Sequence, residues 1–306
     1  MILTVTLNTA LDVTHHVPKL VPHTSHRVTA VTERPGGKGL NVARVLAALG
    51  HEVTATGFAG GRTGAVLREL LAGSPQVTDA LVPCADTTRR TLAVVDGATG
   101  DTTQFNEPGP LISSAEWTEF LARYEALLPG AGAVALCGSL PPGVPVGAYA
   151  VLVRSARTAG VPVLLDTSGE ALRRGVAARP EMIKPNAAEL AELTGSREPL
   201  QATRDARRRG AHAVVTSLGP DGLLAATPEG TWQTAPPRAL SGNPTGAGDS
   251  VVAGLLSALV EGLDWPARLT RAVALSAATV KAPAAGEFDP RTYEELRQAV
   301  SVTGGN

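Results

Sequence analysis

Asn243-Pro-Thr-Gly-Ala-Gly-Asp249-Ser250 runs straight into Val251–Val260, a strongly apolar stretch with helical character. The turn at Gly246, Ala247 and Gly248 opens a helix, so it exposes backbone N–H groups and the positive end of the helix dipole. That combination binds anions, phosphates in particular. A carboxylate at Asp249 would repel a phosphate held there. It makes sense as the base that takes a proton from a hydroxyl attacking that phosphate. On its own, it reads equally as an acidic helix-start residue favoured by the dipole.

A second loop, Pro35-Gly-Gly37-Lys38-Gly-Leu-Asn41-Val-Ala-Arg, also enters a helix. Its glycines permit close backbone approach. Lys38 and Asn41 lie one turn apart on one helix face, a cation and an amide presented together as a phosphorylated sugar would need. The plainer alternative is a loop-to-helix joint with a surface lysine. Neither loop is a Gly-x-x-x-x-Gly-Lys-Ser/Thr phosphate loop. Gly37-Lys-Gly39-Leu-Asn-Val42 and Gly246-Ala-Gly248-Asp-Ser-Val251 both lack the third small residue of the dinucleotide fingerprint.

The elements that must position these loops alternate between strand and helix. Ile2–Asn8, Glu52–Gly60, Ala131–Ser139, Val161–Thr167 and His212–Leu218 read as buried strands. Lys38–Leu49, Glu116–Leu128, Gly147–Ala159 and Ala187–Thr194 read as helices, with Gly50 and Gly160 closing two of them. The alternation predicts an α/β fold: a largely parallel sheet with helices on both faces. Val28–Arg34, Thr91–Asp96 and Thr102–Glu107 break the rhythm with polar–apolar alternation, the last two joined across Gly97–Gly100. Segments near 12–35 and 87–108 are therefore expected to form a small antiparallel β lid. Its apolar face needs cover from substrate or a second subunit, which predicts a homodimer through the lid.

Composition narrows the function classes. The 306 residues are 43% hydrophobic and 18% charged, with 27 basic against 28 acidic side chains. Such a balance gives no electrostatic grip on nucleic acid or membrane. No apolar run approaches the roughly 20 residues of a membrane span, and the first residues lack a signal-peptide pattern. A cytoplasmic protein with Cys84 and Cys137 reduced and buried is expected. Only four lysines occur, Lys19, Lys38, Lys184 and Lys281, beside 23 arginines; two of the four lie in the motifs described here. The last residues, 303–306, read as a frayed tail.

The two glycine loops, in this order and more than 200 residues apart, resemble the signatures of the PfkB carbohydrate kinase family. That resemblance covers nearly the whole chain and implies one ribokinase-like kinase domain over 1–306: a three-layer α/β/α core plus the β lid. Thr6–Asp12, Phe105–Pro110 and Cys137–Gly143 resemble the phosphosugar branch, 1-phosphofructokinase and tagatose-6-phosphate kinase.

The resemblance implies ATP and Mg2+ as cofactors, with Asp249 as base and Gly246, Ala247 and Gly248 as the anion hole. It implies Asp12, Gly37, Lys38, Asn41, Arg89 and Ser139 at the sugar, with Lys38, Arg89 and Ser139 on its phosphate. Strand alternation sends Arg89 and Arg90 to opposite faces, and Arg89 is taken as the inward one. Family relatives usually carry Asn at the Thr91 position. Lys184, Thr216, Ser217, Gly219, Gly222 and Ser276 would contact ATP, with Thr279 near the adenine. Asn186 and Glu189 would orient waters on magnesium, and Asp166, facing the same crevice, would join them at the metal. A monovalent cation near Ser250 and Ala284–Gly286 is common in the family.

The expected reaction is phosphorylation of fructose 1-phosphate to fructose 1,6-bisphosphate. Tagatose 6-phosphate and fructose 6-phosphate are the alternatives. Phe105–Pro110 leans to the first, Asn243-Pro244 to tagatose 6-phosphate. That Asn-Pro replaces the Asp-Thr of many ribokinase-like sugar kinases, which weakens the case for a neutral-sugar or nucleoside kinase. A non-catalytic ligand sensor is the remaining reading.

Overall fold

A computed structural model describes residues 1–238 and 240–305. The chain opens with β1 (Ile2–Thr6), leaves the core for β2 (Ala10–Val17) and β3 (Ala30–Gly36), and returns as α1 (Lys38–Ala48). Next come β4 (Val53–Gly60), α2 (Gly61–Leu71), β5 (Val77–Asp79) and β6 (Val82–Cys84). A second excursion supplies β7 (Arg89–Asp96) and β8 (Thr102–Asn106).

Regular alternation then runs through α3 (Ser114–Leu127), β9 (Ala133–Cys137), α4 (Ala148–Thr158), β10 (Val163–Asp166) and α5 (Gly169–Ala177). It continues with β11 (Met182–Ile183), α6 (Ala187–Thr194), α7 (Pro199–Arg208) and β12 (Ala213–Ser217). The hairpin β13 (Leu223–Thr227) and β14 (Gly230–Thr234) precedes α8 (Ala247–Val260), α9 (Trp265–Thr279), α10 (Pro290–Ala299) and β15 (Val302–Gly305).

Eleven strands form the central sheet, in the order β15-β14-β13-β12-β11-β10-β9-β1-β4-β5 with β6 also on β4. Pairings from β12 to β5 are parallel, and β12 to β15 antiparallel. Strand alternation divides the apolar residues between two cores. Val134, Leu136, Val163 and Leu165 face α3 to α7, whereas Ala133, Ala135, Cys137 and Leu164 face α1, α2 and α8 to α10. Both faces of these strands are covered, which is why they read as unbroken apolar runs.

The expected frayed tail is instead β15: Val302 to Gly305 pairs antiparallel with Thr234 to Thr231. An edge strand offers unpaired main-chain groups to any extended backbone, and glycine suffices to fill that role. Asn306 lies outside the described residues. Four strands form the lid sheet, ordered β3-β2-β7-β8. Its two outer pairings are antiparallel and the middle one, β2 with β7, is parallel, because both excursions leave the same end of the core in the same direction.

Several helices begin on a side-chain cap, such as Ser113–Glu116 at α3, Asp264 at α9 and Asp289 at α10. α1 and α8 begin differently, each on a glycine of positive φ, Gly37 at 103° and Gly246 at 85°. Those two starts converge on the site.

Candidate active site

The helix starts of α1 and α8 meet over the C-terminal ends of β1, β9, β10 and β11, the edge where open α/β sheets hold ligands. Asn41 on α1 donates from Nδ2 to Asp249 Oδ2 at 2.8 Å. Asp249 is buried in the first turn of α8. Burial pushes its carboxyl up to about 6, with Asp166 adding to the rise and Lys38, the Asn41 amide and Lys184 opposing it.

Among the described hydrogen bonds, the Ala247 N–H goes to the Pro244 carbonyl at 3.1 Å, while the N–H groups of Gly246, Gly248 and Asp249 have no partner. Of the three residues expected to hold an anion, Ala247 spends its N–H on closing the turn, while the N–H groups of Gly246 and Gly248 have no partner among the described hydrogen bonds. Asn243 serves the same turn, its Oδ1 accepting from Thr245 N at 3.0 Å.

Three charges lie behind this edge. Lys38 Nζ sits 3.3 Å from both oxygens of Asp166, and Lys184 Nζ 3.4 Å from Oδ1. Asp166 is 1% exposed and shared by two ammonium groups, so it is committed as their counter-ion rather than free for a metal. Burial alone would lower the Lys38 ammonium; Asp166 and Asp249 outweigh it and hold it above its usual range. Lys38 remains 41% exposed and has donors to spare for a ligand. Lys184 lies beneath the start of α8: a Cβ on Gly248 would stand 3.6 Å from its Nζ.

The lid supplies the opposite wall. In register, Asp12 on β2 stands between Arg34 on β3 and Thr91 on β7, and Ala10 beside Arg89. A Cβ on Gly36 would overlap the Asp12 carboxyl, so any other residue there would push that carboxyl aside. Burial raises Asp12 to about 6 against a hydrogen bond from Thr91 and the charges of Arg89 and Arg44. Thr91 thus serves Asp12 where relatives usually carry Asn. Arg89 turns to the core, donating from Nε and Nη2 to the Asn8 carbonyl at 3.3 Å. Arg90 points outward to Glu107. Ser139, past β9, is exposed and accepts from Asn8 Nδ2 at 3.1 Å.

A cleft of about 680 Å³ continues from Ala247 and Gly248 along Ser217, Gly219, Gly222 and Ser276. Its apolar walls, among them Pro236, Leu240, Val273, Ala277 and Val280, suit a flat heterocycle. No motif marked these wall residues; they belong to helix and loop stretches whose sequence signal is packing. Two expected contacts lie elsewhere. Alternation turns the Thr216 hydroxyl from the cleft into the core, 2.9 Å from Thr203 Oγ1. Thr279 is buried and bonds Ser250 Oγ at 2.6 Å.

Asn186 and Glu189 form a reciprocal capping box at α6: Asn186 Oδ1 accepts from Glu189 N and Glu189 Oε2 from Asn186 N. Glu189 Oε1 has no partner among the described hydrogen bonds, and Asn186 lines the cleft. Cys84 and Cys137 are free and buried; burial pushes the first thiol up to about 11 and the second well above its ordinary value.

A buried carboxylate in the first turn of an open helix start, beside a cleft of this size, is an arrangement compatible with phosphoryl transfer to a hydroxyl. The chain belongs to the pfkB family of carbohydrate kinases, whose pattern matches residues 4–292. Its fold is similar to that of a point mutant of phosphofructokinase-2 from Escherichia coli, at 33% identity, 97% of this chain, 98% of that one and TM-score 0.91. The same enzyme in complex with fructose-6-phosphate gives 32%, 97%, 98% and 0.88. A Thermotoga maritima protein described as a possible 1-phosphofructokinase gives 26% identity over 100% of both chains, at TM-score 0.87.

Proposed function

We propose that this sugar kinase transfers the γ-phosphoryl group of ATP to the free primary hydroxyl of a ketohexose monophosphate, and that the substrate is fructose 1-phosphate. What carries the reading is that Asp249 is bonded through Asn41 to the helix start of α1, which also bears the part-exposed Lys38, while Arg89 and Ser139 both bond Asn8. Lys38, Arg89 and Ser139 are taken together as a cationic, hydroxyl-bearing pole for the substrate's own phosphate. A neutral sugar has no use for that pole. Phe105–Pro110 favours fructose 1-phosphate; the Asn243-Pro244 turn favours tagatose 6-phosphate as the second reading.

Asp12 and Asn41 would orient the sugar hydroxyls. Asp249 takes the proton of the attacking hydroxyl, its oxygen bonds to the γ-phosphorus, and ADP departs with the electrons of the broken P–O bond. The N–H groups of Gly246 and Gly248 face the charge that grows on the transferring group, and Lys184 stands beneath them. The free oxygen of Glu189 and the amide of Asn186, at the cleft wall, fit a magnesium ion that arrives with ATP and keeps its waters. When bound, that ion neutralises phosphate charge. Closure of the lid over Asp12 and Arg89 excludes water from the groove.

The outer lid face carries Val31 and Phe105, 57% and 58% exposed, in register with Val13, Leu92 and Val94. A second copy covers it in this reading, giving a dimer.

The test measures ADP release with Mg-ATP and fructose 1-phosphate, fructose 6-phosphate, tagatose 6-phosphate, fructose or ribose. Preference for fructose 1-phosphate supports the reading. Activity on a free sugar alone removes the phosphate-pole assignment.

A further inference from the structure

Asn8 belongs to none of the roles above, yet it touches both phosphate-pole residues that lie outside α1. It follows β1 and is 5% exposed. Its Nδ2 lies 3.1 Å from the Pro108 carbonyl and 3.1 Å from Ser139 Oγ. A carbonyl can only accept, so Pro108 fixes which way the amide faces. One amide hydrogen goes to Pro108. The other goes to Ser139, which must accept it.

A hydroxyl that accepts on one side turns its own hydrogen elsewhere. Ser139 is exposed, so its O–H is free to donate outward to a ligand. The main-chain carbonyl of Asn8 meanwhile accepts from Nε and Nη2 of Arg89, and the Glu107 carbonyl takes Nη1 at 3.3 Å. Gly109 packs so closely on Asn8 that a Cβ there would overlap Oδ1. Asn8 Oδ1 itself is buried without a partner. Leaving a buried acceptor unmet is destabilising, and such costs persist where geometry serves a site.

We infer that Asn8 is a positioning residue that sets the hydrogen-bond polarity of the substrate-phosphate pole, making Ser139 a donor and holding Arg89 through the same residue. The inference rests on the phosphosugar reading above. It assigns Asn8 no contact with ATP or with the reacting hydroxyl. Removing its amide frees Ser139 to rotate its hydrogen inward. In Asn8→Asp a carboxylate draws that hydrogen to itself, so Ser139 ceases to donate to the substrate.

The experiment compares wild type, N8A, N8D, S139A and N8A/S139A by steady-state kinetics, with ATP-induced thermal shift as the check on folding. The expected result is a KM for the preferred phosphosugar raised about tenfold in N8A, the scale of one hydrogen bond to a charged group, and further in N8D. The KM for ATP and the ATP thermal shift stay within about twofold. S139A raises the sugar KM similarly, and the double variant is no worse than the worse single one, since both remove one donor. A sugar KM unchanged in both N8A and N8D overturns the inference. So do equal changes in the sugar KM, the ATP KM and kcat, which mark general damage, and so does full additivity with S139A. If wild type turns over only free sugars, the phosphosugar reading fails and this inference fails with it. Phosphosugar turnover with unaltered Asn8 variants sinks the inference alone.

Discussion

Asn41 and Asp249, 208 residues apart in sequence, are joined by a 2.8 Å hydrogen bond that ties the start of α1 to the start of α8. The bond fixes one carboxylate oxygen of the base and leaves the other for a substrate proton. Asp249→Asn removes the base but keeps size and burial, so turnover should fall about 10²–10⁴-fold while both ligands still bind. Rapid-quench turnover with parallel ATP and sugar titrations checks this. Near-normal turnover would remove Asp249 from its role.

The raised Asp249 and Asp12 carboxyls predict a pH profile. Both sit at about 6 and both are needed ionised, so kcat/KM should fall below that pH, steepening toward two protons per unit. The stability effect has the opposite sense. A folded-state carboxyl above its unfolded value of 3.8 binds more protons folded than unfolded between those values. Stability from this source is therefore present at low pH and lost as pH rises through about 6. Asp249→Asn should then be more stable than wild type at pH 7–8, by up to about 3 kcal/mol. Urea unfolding at pH 5 and pH 8 measures it, and a variant less stable at pH 8 contradicts the assignment.

Local patterns could be read in the sequence, and contacts between distant residues could not. Buried strands announced themselves as short unbroken apolar runs and helices by their period, and Ala187–Thr194 matches α6 to the residue. The glycine loops were legible because an open helix start needs glycine. Partners across the fold were not. Asn8 lies 100 and 131 residues from its two acceptors, and no local pattern marks such a pair. Ala247 reads as a donor until the turn through Pro244 takes its N–H. Asn186 and Glu189 have the spacing of a capping box and of a metal pair alike, and the structure shows the box.

Glu287 links the lid to the core. Arg34 Nε on β3 stands 3.2 Å from Glu287 Oε1 and Arg44 Nη2 on α1 2.7 Å, while Arg44 Nη1 donates to the Ala285 carbonyl at 3.1 Å. Ala285 packs against Gly246. Glu287→Ala leaves two guanidinium groups facing each other, so β3 should loosen. Hydrogen exchange should quicken in β3 and spare β9, and stability should drop about 1–2 kcal/mol. Unchanged exchange in β3 would show that the lid is held by other contacts.

Asp166 is the counter-ion of Lys38 and Lys184. In Asp166→Asn the 5% exposed Lys184 keeps its charge without a partner, and breaking such a buried pair costs about 3–5 kcal/mol. Urea unfolding should show that loss, together with weaker ATP binding as Lys184 shifts from beneath Gly248. Retained stability would place Asp166 outside the charge network.

Phe105 tests the assembly. Its ring is 58% exposed on the outer lid face, opposite Leu92 in register. Burial of such a ring contributes about 1.5–3 kcal/mol. Phe105→Asp would set a charge into the middle of the covered face. The inner face, with Asp12 and Thr91, points the other way and keeps its hydrogen bonds. Sedimentation equilibrium of wild type should give twice the 31.3 kDa chain mass, and of the variant the chain mass, at the same concentration. A wild-type protein that sediments as a single chain would mean that the lid face meets water, and an unshifted dimer in the variant would place the interface elsewhere.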